Sequence, residues 1–333
     1  MTTRIGVIGA GVMGAGHALI LSSQIAGCQV TAIADADETR ARSVAQKLGD
    51  ARTFSNADAL IHDDAVDAIV VASPDPTHHP LVLECLRLGK PVLCEKPLAV
   101  TSRECLEIVE AEMSAGKRLV QVGFMRRFDP GYEAMKSAID ARLHGLPLFL
   151  HCIHRNAVAA SYTTSEAIIL NTAVHELDAA RYLLGEEFVN ATARSSRATS
   201  AAPGRRPQFL LLETASGVLV DIEAFVDAQY GYDVRAELVC ETGAMSLAQT
   251  HAIQTYGAGT IGKSLYGDWM GRFDDAYRRE LQAWVTAIRM GSHVGASAWD
   301  GYASTLTAEL CLDAFKSQRM VRIDMDSRPA FYD

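Results

Sequence analysis

In the first third of the chain, apolar positions fall in short continuous runs, each followed by a stretch with helical spacing. RIGVIG precedes a helix expected over 13–26, QVTAIAD one over 38–48, DAIVVAS one over 77–88, and PVLCEK one over 102–115, with LVQVG closing the series. Strands alternating with helices at this spacing predict βαβ units and a parallel sheet with helices on both faces. Unbroken apolar runs, rather than alternating ones, fit strands covered on both sides.

After Gly123 the pattern changes. Asp129-Pro130 is a helix-start pair, with Asp as N-cap and Pro in the first turn, and predicts a helix to about residue 143. A strand is expected over 146–156, a loop over 157–166, and a helix over 172–184 ending near Gly185. Then come FLLLETASG with a turn at Ser216-Gly217, VLVDIEAFV, VRAELVCETG and AMSLAQ. Successive strands imply mostly antiparallel pairing. Two helices, over 273–289 and 299–316, and a short strand over 321–323 follow. The fold class is therefore α/β: a doubly wound parallel-sheet domain over 1–123, then an α+β domain over 124–333 with a broad, mostly antiparallel open sheet for substrate and oligomer contacts. An open sheet with helices on one face needs cover on the other, so a homo-oligomer, a dimer or tetramer, is expected.

The length, 333 residues, suits about two domains, and 49% apolar with 21% charged residues is ordinary for a globular protein, which excludes a disordered or collagen-like chain. A formal net charge of −9 leaves no electrostatic footprint for nucleic acid, and the Arg-containing stretch 194–206 reads as a loop. Seven scattered cysteines without a C-x-x-C pair fit a reduced compartment better than a disulfide framework or structural zinc. No apolar run approaches the ~18 residues of a membrane span, and the N-terminus runs straight into a glycine-rich turn. A cytoplasmic protein with no membrane partner is expected.

Gly9-Ala10-Gly11-Val12-Met13-Gly14 is a G-x-G-x-x-G turn between a strand and a helix. Gly9 permits the tight turn, Gly11 lets backbone approach a diphosphate on the helix N-terminus, and Gly14 allows close helix–strand packing. Asp35 ends the second strand about 20 residues after Gly14, where an acid receives ribose hydroxyls and repels a 2′-phosphate, so NAD is preferred to NADP. Asp37 is a possible substitute, and Arg40 a possible phosphate ligand. Ser73 and Pro74 follow the DAIVVA strand and should border the nicotinamide side, since ligands bind outside the carboxyl ends of parallel strands. His78 and His79 open the next helix; one facing the cofactor and an exposed helix-start histidine are both open readings. Glu95 and Lys96, in Cys94-Glu95-Lys96-Pro97, close the fifth strand, and an ammonium there polarises a substrate oxygen.

GAGVMGAGHA, ASPDPTHH, CEKP, QVGFMRRFDPGY and an H-x-x-x-D helix occur in one order over nearly the whole chain. This set resembles the Gfo/Idh/MocA family of NAD(P)-dependent sugar and cyclitol oxidoreductases. FMRRFDPGY, HCIHRN, SYTT, NTAVHELDAARYL and YGYD resemble its myo-inositol 2-dehydrogenase branch. The resemblance implies that Lys96 is the catalytic lysine and His175 the acid/base histidine, whose imidazole titrates near neutral pH. Asn171 stands one α-helical turn before His175, where inositol dehydrogenases usually carry Asp. An amide is no general base, although it hydrogen-bonds a histidine or a hydroxyl. Loss of that carboxylate removes a charge favouring imidazolium, so oxidation is expected to persist to lower pH than in Asp-bearing relatives.

Arg127 and Asp129 stand just past the domain junction as candidate polyol ligands. In HCIHRN, alternation puts Cys152, His154 and Asn156 on one face, and the resemblance turns His154 and Asn156 toward substrate. Tyr162, Tyr232 and Asp178 are further candidates. His151 and His154 fall on opposite strand faces, and His175 has Ala179 where an H-E-x-x-H pair needs its second histidine, so no metal is expected. The leading function is NAD-dependent oxidation of a secondary alcohol of a cyclitol or pyranose, with Lys96 and His175 as the acid/base pair. The alternatives are a related sugar, glycoside or anhydrosugar oxidoreductase, including an NADP-linked one, and a non-catalytic NAD-sensing regulator. A regulator should have lost Lys96 or His175, and the chain keeps both.

Overall fold

The computed structural model describes residues 2–49, 51–200, 202–248, 254–257 and 259–333. Two compact units emerge: Met1–Phe128 with Asp275–Leu306 and Asp326–Asp333, and Asp129–Asp274 with Thr307–Met325. The chain thus returns to the first unit twice after leaving it.

The first unit contains strands β1 (Thr3–Ile8), β2 (Cys28–Ala34), β3 (Arg52–Phe54), β4 (Ala68–Val71), β5 (Val92–Cys94) and β6 (Val120–Val122). Its helices are α1 (Val12–Ser23), α2 (Glu38–Lys47), α3 (Ala57–Ile61), α4 (His78–Arg87) and α5 (Ser102–Ala115). All strand pairs are parallel, in the order β3-β2-β1-β4-β5-β6, the doubly wound arrangement. β4 shows why the apolar runs are unbroken: Ala68, Ile69, Val70 and Val71 are all fully buried. α5 starts at a capping box, with Thr101 and Glu104 each accepting from the other's backbone N–H, and ends at Gly116 in the left-handed region. β3 and α3 are additions to the sequence reading. β3 has only three residues, two of them exposed, so no periodicity announces it.

The second unit is built on a mixed sheet of β7 (Pro147–Arg155), β8 (Phe188–Ser195), β9 (Gln208–Thr214), β10 (Leu219–Phe225), β11 (Asp233–Cys240), β12 (Ala244–Ser246) and β15 (Val321–Arg322). Its order is β12-β11-β7-β10-β9-β8-β15, and among its pairings only β7–β10 is parallel. β8 falls partly inside the stretch read as a loop, because its alternation uses small residues, Ala191 and Ala193, on the buried side. A polar hairpin, β13 (Gln254–Gly257) with β14 (Thr260–Lys263), is also new; Gln249, the last residue of the expected AMSLAQ strand, lies outside the described residues.

Helix α6 (Pro130–Asp140) starts at Asp129 as expected, with Asp129 Oδ1 accepting from Gly131 and Tyr132 N–H. The 172–184 helix proves longer and less regular. A turn, α7 (Ser165–Ala167), leads into a π-helical segment, Ile168–Thr172, before α8 (Val174–Leu184). The long helices α9 (Trp269–Met290) and α10 (Ala298–Ser317) complete the chain, and α9 departs from helical geometry at Phe273.

Candidate active site

In the first unit, the end of β1 turns at Gly9 with φ 94°, and a Cβ there would press on the Ala72 carbonyl. Only glycine accommodates both demands. A Cβ on Gly14 would collide with the Gly9 carbonyl, so α1 lies directly against the turn it follows. Gly11, by contrast, has open space beside it, and α1 has no side-chain cap at its N-terminus. The first-turn N–H groups of Val12, Met13 and Gly14 are thus left for a ligand, and an anion such as a diphosphate suits that helix end.

A cavity of about 940 Å³ adjoins this turn, with Gly9, Asp35, Arg40, Ser73 and Pro74 in its wall. Asp35 Oδ2 accepts from Ala10 N–H at 2.7 Å and Oδ1 from Asp37 N–H at 2.8 Å, tying the glycine turn to the end of β2. Arg40 stands 3.7 Å from the Asp35 carboxylate. Asp37 caps α2 through Arg40 and Thr39 N–H, which together with the Arg40 charge hold its carboxyl below the ordinary value against the opposing effect of desolvation. The uncapped helix end, the open side at Gly11 and the acid of β2 together fit a dinucleotide.

Ser73 Oγ lies 2.6 Å from Thr77 Oγ1, closing the turn after β4. His78 is neither exposed nor in the cavity wall. Its ring is buried, with Nδ1 2.8 Å from the Pro97 carbonyl and Nε2 2.9 Å from the Ser73 carbonyl, so it straps the loops after β4 and β5 together. Lys96 follows β5 and is half-buried. The preceding residue, Glu95, is buried and accepts from His17 Nε2 at 2.6 Å. Arg127 pairs with Asp300 at 3.1 Å, both largely buried, so its guanidinium carries a structural ion pair.

In the second unit, Asp129 uses Oδ1 to cap α6 and Oδ2 to pair with Arg272 at 2.6 Å. On β7 the alternation runs as expected: Cys152 and His154 are buried, while His151, Ile153 and Arg155 line the other, partly exposed face. His154 Nδ1 lies 3.0 and 3.1 Å from the two Glu176 oxygens. Its ring is 6.2 Å from that of His175 and meets Tyr232 edge-on at 5.6 Å. Asn156, next on the same face, has a buried Oδ1 without a hydrogen-bond partner among the described residues, an acceptor available to a ligand hydroxyl. His154, Asn156, His175 and Tyr232 thus come from β7, the start of α8 and the approach to β11.

Asn171 is exposed and lies in the π-helical segment, where Ala173 N–H bonds back to Ile168. The chain between Asn171 and His175 is therefore not one regular α-helix; such π turns recur at functional sites. Tyr162 is 86% exposed, and Asp178 is fully buried. Three features escaped the sequence reading. Glu176 orients His154, His17 meets Glu95, and Arg205 forms a two-pronged pair with Asp227 while donating to the Ala160 carbonyl, fastening the 157–166 loop. The first two carried a signal: each is a titratable residue on an otherwise apolar helical face, His17 beside Ala18 and Leu21, Glu176 beside Ala180 and Leu183. Among the described residues, no group of three or more His, Cys, Asp or Glu is placed to hold a metal ion.

Residues 3–124 match the oxidoreductase family with an NAD-binding Rossmann fold, and residues 132–246 match the GFO/IDH/MocA C-terminal domain. The chain belongs to the Gfo/Idh/MocA oxidoreductase family. It is an NAD-dependent oxidoreductase acting on CH–OH donors, and its fold is that of the family's solved members. It is 50% identical over 336 residues to inositol 2-dehydrogenase 1 of Saccharopolyspora erythraea, covering 100% of this chain and 99% of that protein. It is 44% identical to inositol 2-dehydrogenase of Ralstonia nicotianae, covering 100% and 99%. The crystal structure of myo-inositol dehydrogenase from Lactobacillus casei in complex with NAD(H) and myo-inositol superposes with a TM-score of 0.97 at 32% identity, covering 100% of both chains.

Proposed function

We propose that the protein oxidises one ring hydroxyl of an inositol to the ketone. Gly11, Val12, Met13 and Gly14 would hold the diphosphate of NAD and Asp35 the adenosine ribose, and NAD when bound supplies the hydride acceptor. Lys96 places an ammonium against the substrate oxygen and stabilises its developing negative charge. His175 takes the hydroxyl proton as the C–H hydride departs, and returns it in the reverse direction. His154, Asn156 and Tyr232 supply the paired donors and acceptors that a polyol needs. The reading rests above all on the ring cluster of His154, His175 and Tyr232 beside the unpartnered Asn156 oxygen, in a chain matching inositol 2-dehydrogenases end to end.

A second reading, oxidation of a pyranose or another sugar, is favoured by Asn171 standing where inositol dehydrogenases usually carry Asp. Following NADH absorbance with NAD or NADP against inositol stereoisomers, hexoses, glycosides and anhydrosugars separates the two. Turnover of an inositol with NAD is the expected result; turnover of sugars alone establishes the second reading.

We infer a homo-oligomer formed through the outer face of the second unit's sheet. Phe149, Phe209 and Leu211 are each more than 40% exposed there, beside the Arg155–Glu223 and His151–Asp221 pairs. A cytoplasmic location agrees with seven cysteines, six of them buried, that form no disulfide among the described residues. No helix among the described residues is long and apolar enough to cross a membrane.

A further inference from the structure

His17 is the one titratable side chain on the buried face of α1, and it is 1% exposed. It stands three residues beyond Gly14, so the helix whose N-terminus receives the diphosphate also carries this imidazole. Its Nε2 lies 2.6 Å from Glu95 Oε1, and since a carboxylate only accepts, Nε2 carries the proton of that bond. The other oxygen, Oε2, accepts from Lys96 N–H at 3.2 Å. Glu95 is itself fixed at backbone level, its N–H donating to the Val71 carbonyl at 2.8 Å. Gly123, after β6, makes room for the carboxylate: a Cβ there would come within 3.2 Å of the Glu95 carboxyl carbon. Three elements therefore converge on one buried acid immediately before the lysine assigned to catalysis.

We propose that His17 is a positioning residue that holds the Glu95 carboxylate as a buried counter-charge behind Lys96 and so keeps the Lys96 ammonium charged. The inference rests on the catalytic reading of Lys96. Burial raises the Glu95 carboxyl, but the His17 hydrogen bond, the Lys96 ammonium and the Lys96 N–H outweigh it and hold the carboxyl below its ordinary value. The attraction is mutual: whatever Lys96 does to favour ionised Glu95, Glu95 does to favour protonated Lys96. Next to the pair, the Tyr277 ring of α9 lies edge-on to His17 at 5.6 Å, and the Cys94 thiol is driven well up by burial and then by Glu95. Without His17, a fully desolvated carboxyl loses its donor and takes up a proton, and Lys96 loses its counter-charge.

The test compares His17→Leu, which removes the donor at similar volume, with His17→Gln, which keeps a neutral N–H. Lys96 is titrated directly by the pH dependence of its acylation with acetic anhydride, read by mass spectrometry of its peptide. In parallel, kcat/KM for the alcohol substrate is measured against pH. In His17→Leu the Lys96 titration and the alkaline limb of kcat/KM should both move down by about one pH unit, cutting activity about tenfold above the limb. His17→Gln should follow the wild type. An unchanged Lys96 titration in His17→Leu that still binds NADH overturns the proposal. So does a loss in both variants that is equal at every pH. If His17→Leu does not fold, wild-type behaviour of the Lys96 titration in His17→Gln supports the proposal, and a one-unit drop there refutes it. Should no alcohol be turned over by the wild type, the functional reading fails, while the acylation titration still decides the role of His17.

Discussion

At the residue scale, the glycine turn was legible because it sits at a chain position with few alternatives, a turn that only glycine makes. What sequence could not show is which polar groups are already engaged. Asp129 and Arg127 read as ligand residues, yet one caps a helix and pairs with Arg272 and the other pairs with Asp300. His78 read as exposed or cofactor-facing, yet its ring joins two loops. These partners lie far along the chain, and no local pattern announces them. On the proposed role of Asp35 at the adenosine ribose, Asp35→Ser should raise kcat/KM with NADP relative to NAD at least tenfold, from paired initial rates, because the charge that repels a 2′-phosphate is gone while Arg40 remains. Glu95 has a folded-state pKa below its ordinary 4.5, so its ionised form stabilises the fold above that pH. That contribution is lost as pH falls through the lower, folded value. Denaturant unfolding of wild type and Glu95→Gln should therefore differ most near neutral pH, with the variant weaker, and converge below about pH 4.5.

At the element scale, sequence periodicity placed the long helices and buried strands within a few residues and missed short or polar ones. β3 and the β13–β14 hairpin have too few residues to establish a period. The π-helical segment before α8 is invisible to a 3.6-residue pattern, and it is the element that carries Asn171. The start of α6, in contrast, was readable from two residues. Asp129→Ala should cost about 1–2 kcal/mol for the cap, and more because it strands the largely buried Arg272, as measured by the urea midpoint at unchanged m-value. Asp129→Asn should recover the cap portion alone.

At the scale of the whole molecule, the parallel character of the first sheet and the mostly antiparallel character of the second follow from the two grammars in the sequence. The return of residues 275–306 and 326–333 to the first unit does not. It depends on distant contacts such as Tyr332 Oη donating to the fully buried Glu112 at 2.7 Å. The exposed apolar face of the second sheet belongs to this scale. Phe149→Glu should lower the molar mass seen by light scattering at micromolar concentration toward that of one chain, with far-UV circular dichroism unchanged. The central claim is that Lys96 supplies the charge on which alcohol oxidation depends, and single-turnover hydride transfer in Lys96→Ala tests it most directly. With an inositol and saturating NAD, the account predicts a rate at least about 10²-fold below wild type while NADH still binds with similar affinity. Hydride transfer at the wild-type rate in that variant would contradict it.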